Sequence, residues 1–141
     1  MLTPRQKQLV QETFATIAPI ADDAAALFYR RLFEIDPSLR RMFKDDMTEQ
    51  RKRLMQMIAV AVRGLDRLDQ LVPAVQDLGR RHAGYGVEDR HYDTVGKALL
   101  WTLEKGLGNA FTPEVKEAWA TVYGILATTM KEASREAAVA V

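Results

Sequence analysis

The sequence predicts an all-α protein, on three observations. Apolar residues recur three and four positions apart along most of its 141 residues, which sets them on one face of a 3.6-residue period. The polar–apolar alternation of a half-buried strand is missing. Prolines and glycines fall where helices begin and end, as in Thr3-Pro4, Asp36-Pro37 and Thr112-Pro113 at starts and Gly84, Gly86, Gly106 and Gly108 at stops.

Each element follows in order. Thr3 before Pro4, with Gln6 three residues after the threonine, is a capped start for a helix whose apolar face is Leu9, Val10, Phe14 and Ile17, up to Pro19. A second helix runs roughly from Asp22 to Asp36. Asp36-Pro37-Ser38 stops it and opens a short third piece that closes near Phe43. After the polar stretch Lys44 to Thr48, the positions Leu54, Met57, Ile58, Ala61, Val62 and Leu65 give the clearest helical stripe in the chain. Leu71, Val75 and Leu78 carry the next helix to Gly84. Another starts near His91 and uses Tyr92, Val95, Leu99 and Leu103 before Gly106. Thr112-Pro113-Glu114 opens the last, through Val115, Trp119, Val122, Leu126 and Met130.

Length and composition bound the function. A chain of 141 residues, 48% hydrophobic and 28% charged, is the size of one ordinary domain with a core of its own, so a single domain over residues 1–141 is expected. Twenty Lys and Arg against nineteen Asp and Glu leave a formal charge of +1, too weak a field for nucleic acid or an acidic membrane. With no cysteine there is neither a disulfide nor a thiolate metal site. The N-terminal residues lack an apolar signal core, and the longest apolar run, Met57 to Val62, is far short of a membrane span. A cytoplasmic location is expected.

The informative residues are polar ones standing on apolar stripes, because a buried polar group needs a partner or a purpose. His82 lies four residues after Leu78 and seven after Val75; Gln50 lies four before Leu54; Tyr29 lies between Ala25 and the pair Leu32 and Phe33. For His82 the stripe by itself is compatible with a core histidine bonded to a carbonyl, and also with a metal or haem ligand. One histidine does not make a zinc site, and the other, His91, lies beyond two glycines, so iron at His82 would need a porphyrin. Tyr29 and Gln50 have an equally plain account as side chains with buried stems and wet tips. The arginine pairs at positions 30–31, 40–41 and 80–81 read as solvated faces.

The order of these signals resembles the globin family, nearest to bacterial single-domain haemoglobins and the globin part of flavohaemoglobins. The carrying segments are Leu27-Phe28-Tyr29 through Phe33, Pro37, Met42-Phe43, Gln50 with Leu54, Leu78-Gly79-Arg80-Arg81-His82, Tyr85-Gly86-Val87, His91-Tyr92, Val95-Gly96, and Ala118-Trp119 with Val122-Tyr123-Gly124. The resemblance implies a globin fold, helices three over three around one haem b (iron protoporphyrin IX). It implies His82 as the proximal iron ligand, with Phe43 packed against the porphyrin and Tyr92 on the proximal side. Tyr29 and Gln50 match the polar pair over the iron, with Leu54 as an apolar wall and Val95 lining the opposite side. Arg53, Arg81 and His91 are the candidates for the haem propionates. In flavohaemoglobins a glutamate near the end of the last helix bonds the proximal histidine; here the matching position is Ser134, with Glu132 and Glu136 on other faces, which puts any peroxidase-like electron push in doubt.

Two functions follow from the resemblance. The first is reversible binding of oxygen, nitric oxide or carbon monoxide, with Tyr29 and Gln50 stabilising the charge that develops on bound oxygen. The second is nitric oxide dioxygenase, which needs its iron reduced again; the chain lacks a dinucleotide glycine motif, so a separate reductase is expected as partner. A helical interaction module without haem is the third reading.

Overall fold

The structure, a computed structural model, describes the backbone of residues 2–139 and the side chains through residue 135. Six α-helices make up most of it: α1 (Pro4–Ile17), α2 (Ala21–Ile35), α3 (Thr48–Gly64), α4 (Leu68–Gly84), α5 (Asp89–Leu107) and α6 (Pro113–Val139). Three short 3₁₀ turns join them, Ala18–Ile20, Pro37–Met42 and Gly108–Ala110. No strand occurs among the described residues.

The starts are set by local chemistry. Thr3 and Gln6 close a reciprocal capping box at 3.0 Å each, satisfying two of the N–H groups that a helix start leaves open. Asp36 accepts from both the backbone N–H (3.1 Å) and the hydroxyl (2.6 Å) of Ser38, and these bonds hold its carboxyl below the usual carboxylate range. The short third piece is accordingly a 3₁₀ turn rather than an α-helix. At α5 the cap is Glu88, three residues before the predicted start, and His91 completes it: the Glu88 N–H donates to His91 Nδ1 at 2.9 Å.

Packing arranges the helices as two layers, α1, α3 and α4 over α2, α5 and α6. Within them α2 lies along α5, while across them α4 lies along α6 and α1 crosses α6. The main core joins α1, α3, α5 and α6 through Val10, Ile17, Val62, Leu103, Ala118 and Trp119. Inside it the Trp119 indole donates to Thr13 Oγ1 at 2.9 Å, while that hydroxyl gives its own hydrogen to Leu9 O at 2.6 Å. Both polar groups are thereby buried without loss. The α4–α6 crossing is close because position 79 is glycine: a Cβ there would overlap the Met130 carbonyl oxygen and come within 2.6 Å of Met130 Cα.

Candidate functional site

Two further apolar clusters flank the main core; Tyr29 belongs to the first, and Gln50 and His82 bond to members of the first and the second. The first gathers Phe28, Tyr29 and Leu32 of α2 with Leu39 and Ala98, and half-buried Phe33, Phe43, Met47, Leu54 and Val95 pack against it. Tyr29 sits at its centre, edge-on to Phe28 at 5.0 Å and to Phe43 at 5.5 Å. Gln50, in the first turn of α3, donates through Nε2 to the Tyr29 oxygen at 3.1 Å. An exposed ion pair from Arg51 to Asp22, at 3.3 Å, ties the same two helices outside the cluster.

A hydroxyl has one hydrogen and two acceptor sites. The Tyr29 oxygen uses an acceptor site on Gln50, and its hydrogen has no acceptor among the described residues. Burial raises the phenol pKa above its ordinary value, and the bond from Gln50 only partly opposes that. Tyr29 is therefore a protonated donor at neutral pH, in a largely apolar setting that strengthens any bond it makes.

The second cluster joins α4, α5 and α6 through Leu71, Val75, Tyr92, Ala127 and Met130, with Leu78 and Val87 half-buried against it. His82 lies in the last turn of α4, half-buried. Its Nδ1 is 2.9 Å from Leu78 O, and a carbonyl only accepts, so Nδ1 carries the proton. Burial, ahead of the raising effect of the Leu78 carbonyl and the lowering effect of Arg81, shifts the imidazole below its ordinary pKa. His82 is thus neutral at pH 7 with the Nε2 lone pair available, the form a metal ligand needs.

The two clusters do not merge among the described residues. Helix α4 leans on α6 and makes only slight contact with α3, which leaves half-covered Leu54, Val95 and Phe43 on one side and Leu78 and Val87 on the other. Behind Leu54 is a small apolar cavity of about 20 Å³, bounded also by Phe28, Ile58 and Leu103.

The remaining predicted residues are placed as follows. Tyr92 is buried in the second cluster with its backbone carbonyl accepting from Tyr123 Oη at 2.6 Å; its own hydroxyl faces Ser134 and lies within hydrogen-bond distance of no group among the described residues. Burial raises its phenol pKa. Ser134 bonds the carbonyls of Gly79 and Met130, each at 3.0 Å, so it anchors the α4–α6 crossing. Glu132 is exposed, and the side chain of Glu136 lies outside the described residues. Arg53 is exposed on α3; Arg81 is exposed and paired with Asp77 at 3.5 Å. His91 is buried, with Nδ1 occupied by the helix cap and Nε2 3.8 Å from a Glu88 carboxylate oxygen. Phe33 and Met47 complete the first cluster without having been singled out; Phe33 carries the right stripe, but Met47 precedes α3 and has no periodic signal.

A neutral imidazole bonded to the backbone of Leu78, beside one apolar cluster, and a tyrosine–glutamine pair on another are the polar features that these helices bring together with half-covered apolar side chains. The globin family profile matches residues 26–130, and the chain belongs to the globin family. It is 30% identical over 132 residues to a flavohemoprotein of Bacillus subtilis (strain 168), covering 90% of this chain and 33% of that protein. It spans about a third of the length of the flavohemoproteins it matches. With the neuroglobin of Danio rerio it shares 29% identity over 143 residues, covering 92% of this chain and 90% of that one. The fold matches a bacterial globin from Campylobacter jejuni with a TM-score of 0.84 at 24% identity, over 95% of this chain and 97% of the other.

The family implies a haem, and the residues present suit one. His82 offers a neutral nitrogen donor with its other ring nitrogen fixed, and no cluster of three His, Asp or Glu residues competes for a metal among the described residues. Separate clusters with half-covered apolar faces suit a planar macrocycle better than they suit each other.

Proposed function

We propose that this globin binds dioxygen, and also nitric oxide and carbon monoxide, reversibly at a haem b held by His82. When bound, the haem supplies a ferrous centre with one open coordination position. The observation that carries the reading is the Gln50–Tyr29 hydrogen bond at 3.1 Å, which leaves the phenol hydrogen for a ligand. In this reading Tyr29 is the principal distal donor and Gln50 orients it. Leu54 and Val95 line the ligand space, Phe43 packs against the porphyrin edge, and Tyr92 supports the proximal side. In the same reading exposed Arg53 and Arg81 are the partners of the propionates, with the Nε2 of His91 as a third donor. The chain works as a single globin domain in the cytoplasm.

The direct test is the absorbance spectrum of the purified protein with and without dithionite, followed by His82→Ala. An intense Soret band that shifts on reduction and on carbon monoxide is expected, and His82→Ala should lose the pigment or change its ligation. A variant with the parent's spectrum and gas affinity would overturn the assignment.

A second reading, nitric oxide dioxygenase forming nitrate, is favoured by the similarity to flavohemoproteins. It needs a reductase to return the iron to the ferrous state. Sustained nitric oxide consumption with a cellular reductase supports it; a single stoichiometric burst supports reversible binding alone.

A further inference from the structure

Away from both clusters, the outer faces of α2 and α5 and the start of α6 enclose a groove of about 390 Å³, within the roughly 300–1,000 Å³ typical of small-molecule sites. Its floor is apolar and aromatic: Ile35, Leu100, Trp101 and Phe111, all half-buried. Its rim carries three cations, Arg31, Lys97 and Lys116, against one carboxylate, Glu104. The helical spacing builds this arrangement, since Arg31 and Ile35 are one turn apart on α2, and Lys97, Trp101 and Lys105 are successive turns of α5.

Ordinary surface packing explains part of it. The Arg31 guanidinium lies 5.3 Å from the Trp101 ring centre and Lys105 Nζ lies 5.6 Å from it, so the indole is flanked by cations. The charges are not accounted for in this way. Among the described residues Arg31, Lys97 and Lys116 enter no ion pair. Arg31 Nε is buried with no hydrogen-bond acceptor among the described residues, and the guanidinium is held there by the Trp101 ring, with no anion beside it.

We propose that this groove binds a small organic carboxylate with an aromatic or aliphatic body. The carboxylate pairs with the outer nitrogens of Arg31 and with Lys97 or Lys116, and the body lies on Trp101, Leu100 and Phe111. Three cations against Glu104 leave the rim positive, so a charged ligand is favoured over its neutral analogue. The polar residues of this site are none of those in the haem reading; only Ile35 of its floor also packs against the Tyr29 cluster.

The test uses the two tryptophans of the chain. Trp101 lines the groove and Trp119 is 3% exposed in the core, so their indole N–H resonances in a ¹⁵N-labelled sample report separately. Titration with 1-naphthaleneacetate should move the Trp101 signal, leave that of Trp119 in place and leave the visible spectrum unchanged, with a dissociation constant of about 1 mM or tighter, the range for a ligand of that size. Arg31→Met should weaken binding tenfold or more. The doubly exposed variant Lys97→Met with Lys116→Met, which touches no buried contact, should weaken it about threefold to tenfold. An unmoved Trp101 signal overturns the proposal. So does equal binding of 1-naphthaleneacetamide, which lacks the charge, or of inorganic phosphate, which lacks the apolar body.

Discussion

In the proposed function Tyr29 sets the ligand chemistry, because its oxygen already accepts from Gln50 and its hydrogen has no acceptor among the described residues. Under the proposed function, Tyr29→Phe removes a donor to a ligand bearing partial negative charge, a bond of about 1.5–3 kcal/mol, or roughly ten- to a hundredfold in affinity. Stopped-flow oxygen dissociation should accelerate by that factor, while carbon monoxide dissociation changes far less. Gln50→Leu should give a smaller acceleration, because it removes the group that orients the phenol. An unchanged oxygen rate in both variants would remove the pair from the distal role. A second consequence is alkaline. Burial raises the pKa of Tyr29, Tyr92 and Tyr123 in the fold, so the unfolded chain loses those protons first as pH climbs past the free phenol value of about 10. The stability they contribute is complete below that pH and falls above it. Tyr123→Phe should therefore lower stability at pH 8 by about 0.5–1.5 kcal/mol, the bond to Tyr92 O, yet flatten the loss above pH 10 in urea titrations.

At the scale of elements, α4 is the helix whose placement matters most, because it carries His82 and rests chiefly on α6. Gly79 permits the close crossing, and Ser134 fastens it through Gly79 O at 3.0 Å. Gly79→Ala puts a methyl group into the Met130 backbone, an overpacking cost of about 1–3 kcal/mol, and must push α4 outward. A lowered melting temperature together with faster haem loss to an acceptor apoprotein is the expected result; lowered stability with unchanged haem loss would show that α4 keeps its position. The helices themselves were legible from periodicity and from Pro and Gly punctuation, including the Thr3 cap and the stripe of α3. The α4–α6 contact was not, because a glycine at a crossing and a glycine in a turn look alike until the partner backbone is in view. His91 shows the same limit, because the service of its Nδ1 to the start of its own helix is not visible in the spacing.

For the whole molecule, the main core involves α1, α3, α5 and α6, while His82 and the Tyr29–Gln50 pair lie on flanking clusters. Sequence periodicity identified all three residues, since a polar side chain interrupting an apolar stripe is visible in one dimension. The separation of the clusters was not, because it depends on which helices fail to touch. Nor was the groove beside Trp101, whose arginine and lysines read singly as solvated charges. Under the proposed function that separation divides the tasks of folding. The main core closes on apolar contacts alone, before any pigment arrives. The helix bearing His82 rests chiefly on α6 and gains the haem as its second support. In hydrogen exchange on pigment-free protein, amides of 68–84 should exchange much faster than those of α1 and α5, and the difference should shrink as hemin is added.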